Sequence, residues 1–78
     1  MKLSYDPRYN IAYIQLHEKG TEVETIQVSD QLNVDLAPDG TVYGIELLNA
    51  NEQLGALEGG ALLVVNEASG QQQEIELR

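Results

Sequence analysis

Apolar and polar residues alternate with a period of two through most of the first half of the chain, and turn residues cut the alternation at regular intervals. Lys2-Leu3-Ser4-Tyr5 reads as a short strand that Asp6-Pro7 stops, because proline has no amide hydrogen and presets φ for a turn. Ile11 to Leu16 is rich in β-formers, with Ala12, Ile14 and Leu16 on one face and Ile11, Tyr13 and Gln15 on the other. It predicts a second strand antiparallel to the first. After a polar turn at His17-Glu18-Lys19-Gly20, Val23 to Val28 alternates again and sets Ile26 and Val28 on one face. Ser29-Asp30-Gln31 turns the chain once more. Leu32-Asn33-Val34-Asp35-Leu36 then gives the cleanest alternation of all, with Leu32, Val34 and Leu36 inward.

Pro38-Asp39-Gly40 is a turn signal in which Asp39 tolerates the left-handed region beside Gly40, so Val42 to Leu48 forms a hairpin with the strand before it. Val42 and Ile45 differ in parity, and a bulge at Gly44 would bring Val42, Ile45 and Leu47 inward together. Asn49 and Glu52 have the spacing of a capping box and predict one or two helical turns, with Leu54 and Leu57 closing over a sheet face. Gly59-Gly60 ends that helix. Ala61 to Val65 is apolar without alternation, which predicts a strand covered on both faces. Gln71 to Leu77 pairs with it across Ala68-Ser69-Gly70. The fold class expected is α+β: mainly an antiparallel sheet of consecutive hairpins, one short helix covering a sheet face, and a C-terminal β-hairpin. Residues 1–78 make one domain, with a core over 1–57 and a hairpin extension over 58–78.

Size changes this picture, because a chain of 78 residues buries only about 60 to 65% of its unfolded surface. Small domains compensate with disulfides, a structural metal or self-association, and the sequence has no cysteine. A homo-oligomer, in the simplest case a dimer, is the expected remedy. Thirteen acidic residues against four basic ones give a net charge of -9, and no Lys or Arg occurs from Gly20 to Leu77. Such a surface repels phosphate backbones and anionic lipid, which argues against nucleic-acid or membrane partners; the charge reads first as a solubility device and, more sharply, as a match for a basic protein partner. Met1 to Asp6 contains no signal-peptide pattern, and no apolar run approaches the roughly 20 residues needed to span a bilayer. The expectation is a cytoplasmic protein.

Candidate chemistry is sparse. Asp35, Asp39 and Glu46 sit near one hairpin end and offer oxygen ligands to a small ligand or divalent cation, although their spacing does not match a calcium loop. His17 is the only histidine, and no serine lies in a Gly-x-Ser-x-Gly elbow. The glycines form no phosphate loop, so no catalytic residue, metal site or cofactor is assigned. Tyr5, Tyr9 and Tyr13 recur at four-residue intervals and, with Tyr43, either gather on one sheet surface as an interface or, as the simpler reading, finish the edge of the core in twos or threes.

The order Tyr5-Asp6-Pro7, Ala12-Tyr13-Ile14, Leu16, Val34-Asp35, Asp39-Gly40, Val42, Gly44-Ile45-Glu46 and Leu48-x-Ala50 resembles the small prokaryotic domain-of-unknown-function family numbered 2283. The resemblance covers Met1 to Leu57 and departs from the pattern at Asn49, where the family often has Asp. It implies a small β-rich α+β domain without an established activity, and by analogy an antitoxin-like or accessory binding role. The residues that carry it, Asp6, Pro7, Asp35, Gly40, Gly44, Glu46 and Asn49, are mostly turn, bulge and cap positions. The function expected from residues and resemblance together is a non-enzymatic, acidic protein-binding or scaffold module. The alternative is a small-ligand or cation-binding domain at the 35–46 hairpin.

Overall fold

The computed structural model describes residues 1–18, 20, 22–56 and 58–77 in full, and Leu57 by its backbone alone. Five strands, β1 (Lys2–Asp6), β2 (Ile11–Gln15), β3 (Glu24–Ser29), β4 (Leu32–Leu36) and β5 (Val42–Leu48), form one antiparallel sheet in the order β1-β2-β5-β4-β3. A four-residue helix α1 (Ala50–Gln53) and a 3₁₀ turn (Ala56–Glu58) follow, and β6 (Ala61–Val65) pairs with β7 (Gln72–Glu76) in a separate two-stranded hairpin. The strands fall within a residue or two of the stretches marked by alternation. The Lys19 part of the predicted polar turn and the Leu57 half of the predicted lid lie outside the described residues.

Two of the turns are explained by a side chain next to them. Asp6 Oδ1 accepts the Arg8 amide at 3.0 Å, and its carboxylate pairs with the Arg8 guanidinium at 2.9 Å, closing the β1–β2 turn around Pro7. That guanidinium holds the Asp6 carboxyl below its ordinary pKa. Asp39 Oδ1 accepts the Thr41 amide at 2.9 Å, and hydrogen bonding from the Thr41 side chain, with that amide adding to it, holds the Asp39 carboxyl below its usual value. Gly40 alone takes the left-handed conformation there, at φ 89°, so Asp39 contributes by hydrogen bonding and not by tolerating αL.

Two predicted details are corrected. The bulge lies one residue before Gly44: Asp35 pairs with Gly44 and Leu36 with Val42, which leaves Tyr43 as the extra residue. The Tyr43 carbonyl accepts the amides of both Leu16 and His17, at 2.9 and 3.3 Å. Its consequence is as expected, because Val42, Ile45 and Leu47 share a face. Asn49 is not a capping box. It sits at φ 53° with no side-chain bond to a helix amide, and its Nδ2 instead donates to Glu52 Oε2 at 2.8 Å. The cap comes from Asn10 in the β1–β2 turn, whose Oδ1 accepts the Asn51 amide at 2.7 Å and whose carbonyl accepts the Ala50 amide at 3.1 Å. A helix too short to be stable alone is thereby tied to the sheet.

Register sorts the side chains cleanly. Leu3, Ile14, Ile45, Val34 and Ile26 form one row straight across all five strands, flanked by Tyr5, Ala12, Leu47 and Leu32. Ser4, Tyr13, Glu46, Asn33 and Gln27 form the corresponding row on the opposite face. The α1 segment covers one end of the apolar face, where Ala50 and Ala56 are buried and the Tyr5 hydroxyl donates to Asn51 Oδ1. Among the described residues no second layer of strands or helices covers the remainder. The buried apolar residues are four alanines, and no large side chain is fully enclosed among the described residues.

Candidate functional site

The polar face carries a connected set of side chains. Tyr13 projects from β2 across the adjacent strand β5 and donates its hydroxyl to Asp35 Oδ2 on β4 at 2.7 Å. It can do so because the residue beneath it is Gly44: a Cβ built there would lie 1.9 Å from the Tyr13 hydroxyl oxygen. Thr25 on β3 donates to the other carboxylate oxygen of Asp35 at 2.6 Å, and Asn33 Nδ2 donates to Glu46 Oε1 at 2.9 Å. The hydrogen bonds therefore lace four neighbouring strands together on the side away from the apolar row. An aromatic ring laid over a cross-strand glycine also restores packing that the glycine lacks.

The hydrogen bond to Asp35, with burial and the nearby carboxylates adding to it, pushes the Tyr13 phenol up to about 12 from its ordinary 10.0. Below the ordinary value the phenol is protonated in folded and unfolded chains, and the bond contributes fully to stability. Between the two values the unfolded chain releases its proton first, so stability falls as pH rises and the contribution is gone by about 12. The urea midpoint is expected to drop as pH passes through this window, and Tyr13→Phe to flatten that drop. An identical alkaline slope in the Phe variant is the result that contradicts it.

The other sequence candidates disperse. Tyr5 lies on the apolar face opposite Ala12 while Tyr13 lies on the polar face opposite Ser4, so the tyrosines do not gather. Tyr9 is exposed in the turn with the Arg8 guanidinium 5.7 Å from its ring centroid, and Tyr43 packs against His17 with centroids 5.2 Å apart. The four-residue interval between Tyr5, Tyr9 and Tyr13 spans a chain reversal, which destroys any common face. Asp35 and Glu46 do share the polar face, whereas Asp39 is bonded into its own turn. Among the described residues no three His, Asp or Glu side chains come together as a metal site. Thr25, Asn33 and Asn10 are the residues that sequence reasoning missed. The first two stand at outward positions of their strands, but only the strand order brings them to Asp35 and Glu46.

The apolar face is the second feature. Its side chains are half-exposed, and a shallow depression of about 630 Å³ beside Ile26, Leu36 and Pro38 continues it to the β3 edge. The hairpin adds more of the same, with Leu63 54%, Val64 50% and Ile75 44% exposed. Such fractions are unusual for consecutive strand residues of this type.

Fold and faces together define a single-layer antiparallel β domain with a helical clasp at one end, apolar on one side and hydrogen-bonded on the other. The family model described as a protein of unknown function, DUF2283, matches residues 2–51, and the chain belongs to that family. No curated protein and no solved structure gives a significant match. The matched segment ends within α1, so the 3₁₀ turn and the β6–β7 hairpin lie beyond it. Asp6, Pro7, Asp35, Gly40, Gly44 and Glu46 all fall inside it. Their structural roles are turn closure, the Tyr13 crossing and the polar-face hydrogen bonds.

Proposed function

We propose that the protein is a self-associating, non-enzymatic binding module of the cytoplasm, dimeric through the apolar face of its five-stranded sheet. The observation that carries this reading is the uncovered row Leu3, Ile14, Ile45, Val34 and Ile26. A sheet with one apolar face is stable in water when that face packs on a second layer, and one chain supplies only the short α1 segment for the purpose. Charge is sorted in the same sense. Glu24, at the outer edge, is the acid on the apolar side of the paired strands, while Asp35 and Glu46 lie on the other side. Two anionic chains can therefore meet face to face with Asp35 and Glu46 turned away from the contact and Glu24 at its rim.

The polar face left outward in such a dimer offers Asp35 and Glu46 to a basic protein segment, in line with a chain that has no Lys or Arg from Gly20 to Leu77. Cation binding at the same carboxylates is less favoured, because Tyr13, Thr25 and Asn33 already donate to them. No helix among the described residues is long and apolar enough to cross a membrane. Size-exclusion chromatography with light scattering at micromolar concentration tests the proposal. Twice the chain mass is expected, and a single chain mass overturns it.

A further inference from the structure

The β6–β7 hairpin has a well-tied turn and yet pairs with no strand of the main sheet among the described residues. Its turn is complete in itself: Asn66 Oδ1 accepts the Ala68 and Ser69 amides at 3.0 and 3.2 Å, and Gly70, at φ 76°, donates to the Asn66 carbonyl at 2.8 Å. Its take-off is equally fixed. Gly59 adopts φ 77°, and Gly60 lies so close to the 3₁₀ turn that an added Cβ would stand 2.4 Å from the Leu54 carbonyl oxygen. The hairpin therefore leaves the sheet in a set direction and forms a separate layer of two strands. A lone two-stranded hairpin is marginal in water. This one pairs Leu62 with Ile75 on one face and carries Leu63 and Val65 on the other, so β6 needs cover that its own sheet does not provide. The strand predicted from sequence to be covered on both faces is exposed in the single chain.

The amount of uncovered surface says what the cover is. The chain exposes 5875 Å², against about 4,700 Å² for a compact monomer of this mass. Its radius of gyration is 14.0 Å, against about 11.5 Å for a compact chain of this length. The excess, roughly 1,200 Å² per chain, falls in the range of one side of a permanent homodimer interface. Each chain presents one apolar sheet face and one apolar hairpin, and a two-fold pair of chains offers each of them a counterpart with none left over.

We infer that the occupant is a second copy of this chain, and that the β6–β7 hairpin is an exchanged arm, laid in the dimer over the apolar sheet face of the partner. This rests on the self-association through the apolar face proposed above, and sets the partner's hairpin, in place of the partner's sheet, against that face. The absence of cysteine makes the test clean. Full-length Ile75→Cys and, separately, Ile45→Cys chains are mixed, allowed to exchange and treated with a short bismaleimide. Cross-linked heterodimers are the expected product. With both cysteines in one chain, at a concentration where light scattering finds the dimer, a predominantly intramolecular product overturns the exchange by placing the arm on its own sheet. Val64→Lys, at an exposed arm position, is expected to raise the dimer dissociation constant by about thirtyfold with the far-ultraviolet circular dichroism unchanged. A wild-type protein that is dimeric while these arm variants neither cross-link nor dissociate defeats the arm and leaves the face-to-face dimer standing. A monomeric wild type defeats both.

Discussion

Replacing Gly44 by alanine is expected to cost the protein about 2 kcal/mol or more, far beyond the usual effect of adding one methyl group at a strand position. The new Cβ would fall 1.9 Å from the Tyr13 hydroxyl oxygen, so the ring has to swing away from the position in which it reaches Asp35. Glycine within a strand is ordinarily a weakness, and its replacement by alanine ordinarily helps. Here the sign reverses because the space over Gly44 is already filled by another strand's side chain. Hydrogen bonds to a charged acceptor contribute about 1.5–3 kcal/mol, which sets the size of the loss. For a domain of this length that corresponds to a fall in Tm of roughly 10 °C at fixed protein concentration. The decisive measurement is the double-mutant cycle with Tyr13→Ala. In that background the clash partner is gone, and Gly44→Ala is expected to be close to neutral. Equal costs in the two backgrounds would show that the glycine answers to something other than Tyr13.

Lysine in place of Val34 is expected to abolish the proposed dimer. Val34 lies in the row between Ile45 and Ile26, and in a single chain it is half-exposed. A lysine there could extend its stem along the sheet and hold its ammonium in water, so in a monomer the change is worth under about 1 kcal/mol. In a face-to-face dimer the same ammonium is enclosed without a partner, at a cost of about 3–5 kcal/mol per site. The dissociation constant rises by at least about a hundredfold, read by light scattering over a dilution series. Thr25→Lys, on the polar face, is the matched control and is expected to leave the dimer intact. Indistinguishable behaviour of the two variants would mean that the apolar face is not the contact.

The two variants separate the roles of the two faces. On one, the sheet is held by side chains that satisfy one another: Tyr13 and Thr25 on Asp35, Asn33 on Glu46. On the other, its apolar side chains are half-exposed. The motif residues that mark the family serve this architecture. Asp6 and Asp39 close turns, Gly40 supplies a positive φ, and Gly44 makes room for the Tyr13 crossing.

Much of this was legible along the chain. Alternation located the strands, because a period of two is local and each strand displays its own inward set. The turn at Asp39-Gly40 and the need for a bulge near Gly44 were equally local, since each follows from the conformations a few adjacent residues accept. The candidate site was legible only in part. Asp35 and Glu46 stood out as outward carboxylates, but their partners did not, because Thr25, Asn33 and Tyr13 come from other strands. The capping box suggested by Asn49 and Glu52 failed for a related reason: Asn49 sits at φ 53°, outside the extended conformation from which a cap side chain reaches the third helix amide, and Asn10 from the β1–β2 turn caps Asn51 instead. A regular interval misled where Tyr5, Tyr9 and Tyr13 straddle a reversal, since periodicity has meaning only within one element.

By itself, then, the sequence determined the strands, their inward faces, the turns and the family, all of which depend on interactions between residues a few positions apart. The tertiary structure decided what the faces mean. Placing β5 between β2 and β4 carries Tyr13 over Gly44 to Asp35 and assembles one apolar row from five separated segments. It also showed that Ala61 to Val65, apolar enough for a buried strand, stands in a hairpin away from the sheet. Burial is a property of what lies opposite in space, and one-dimensional order does not contain it.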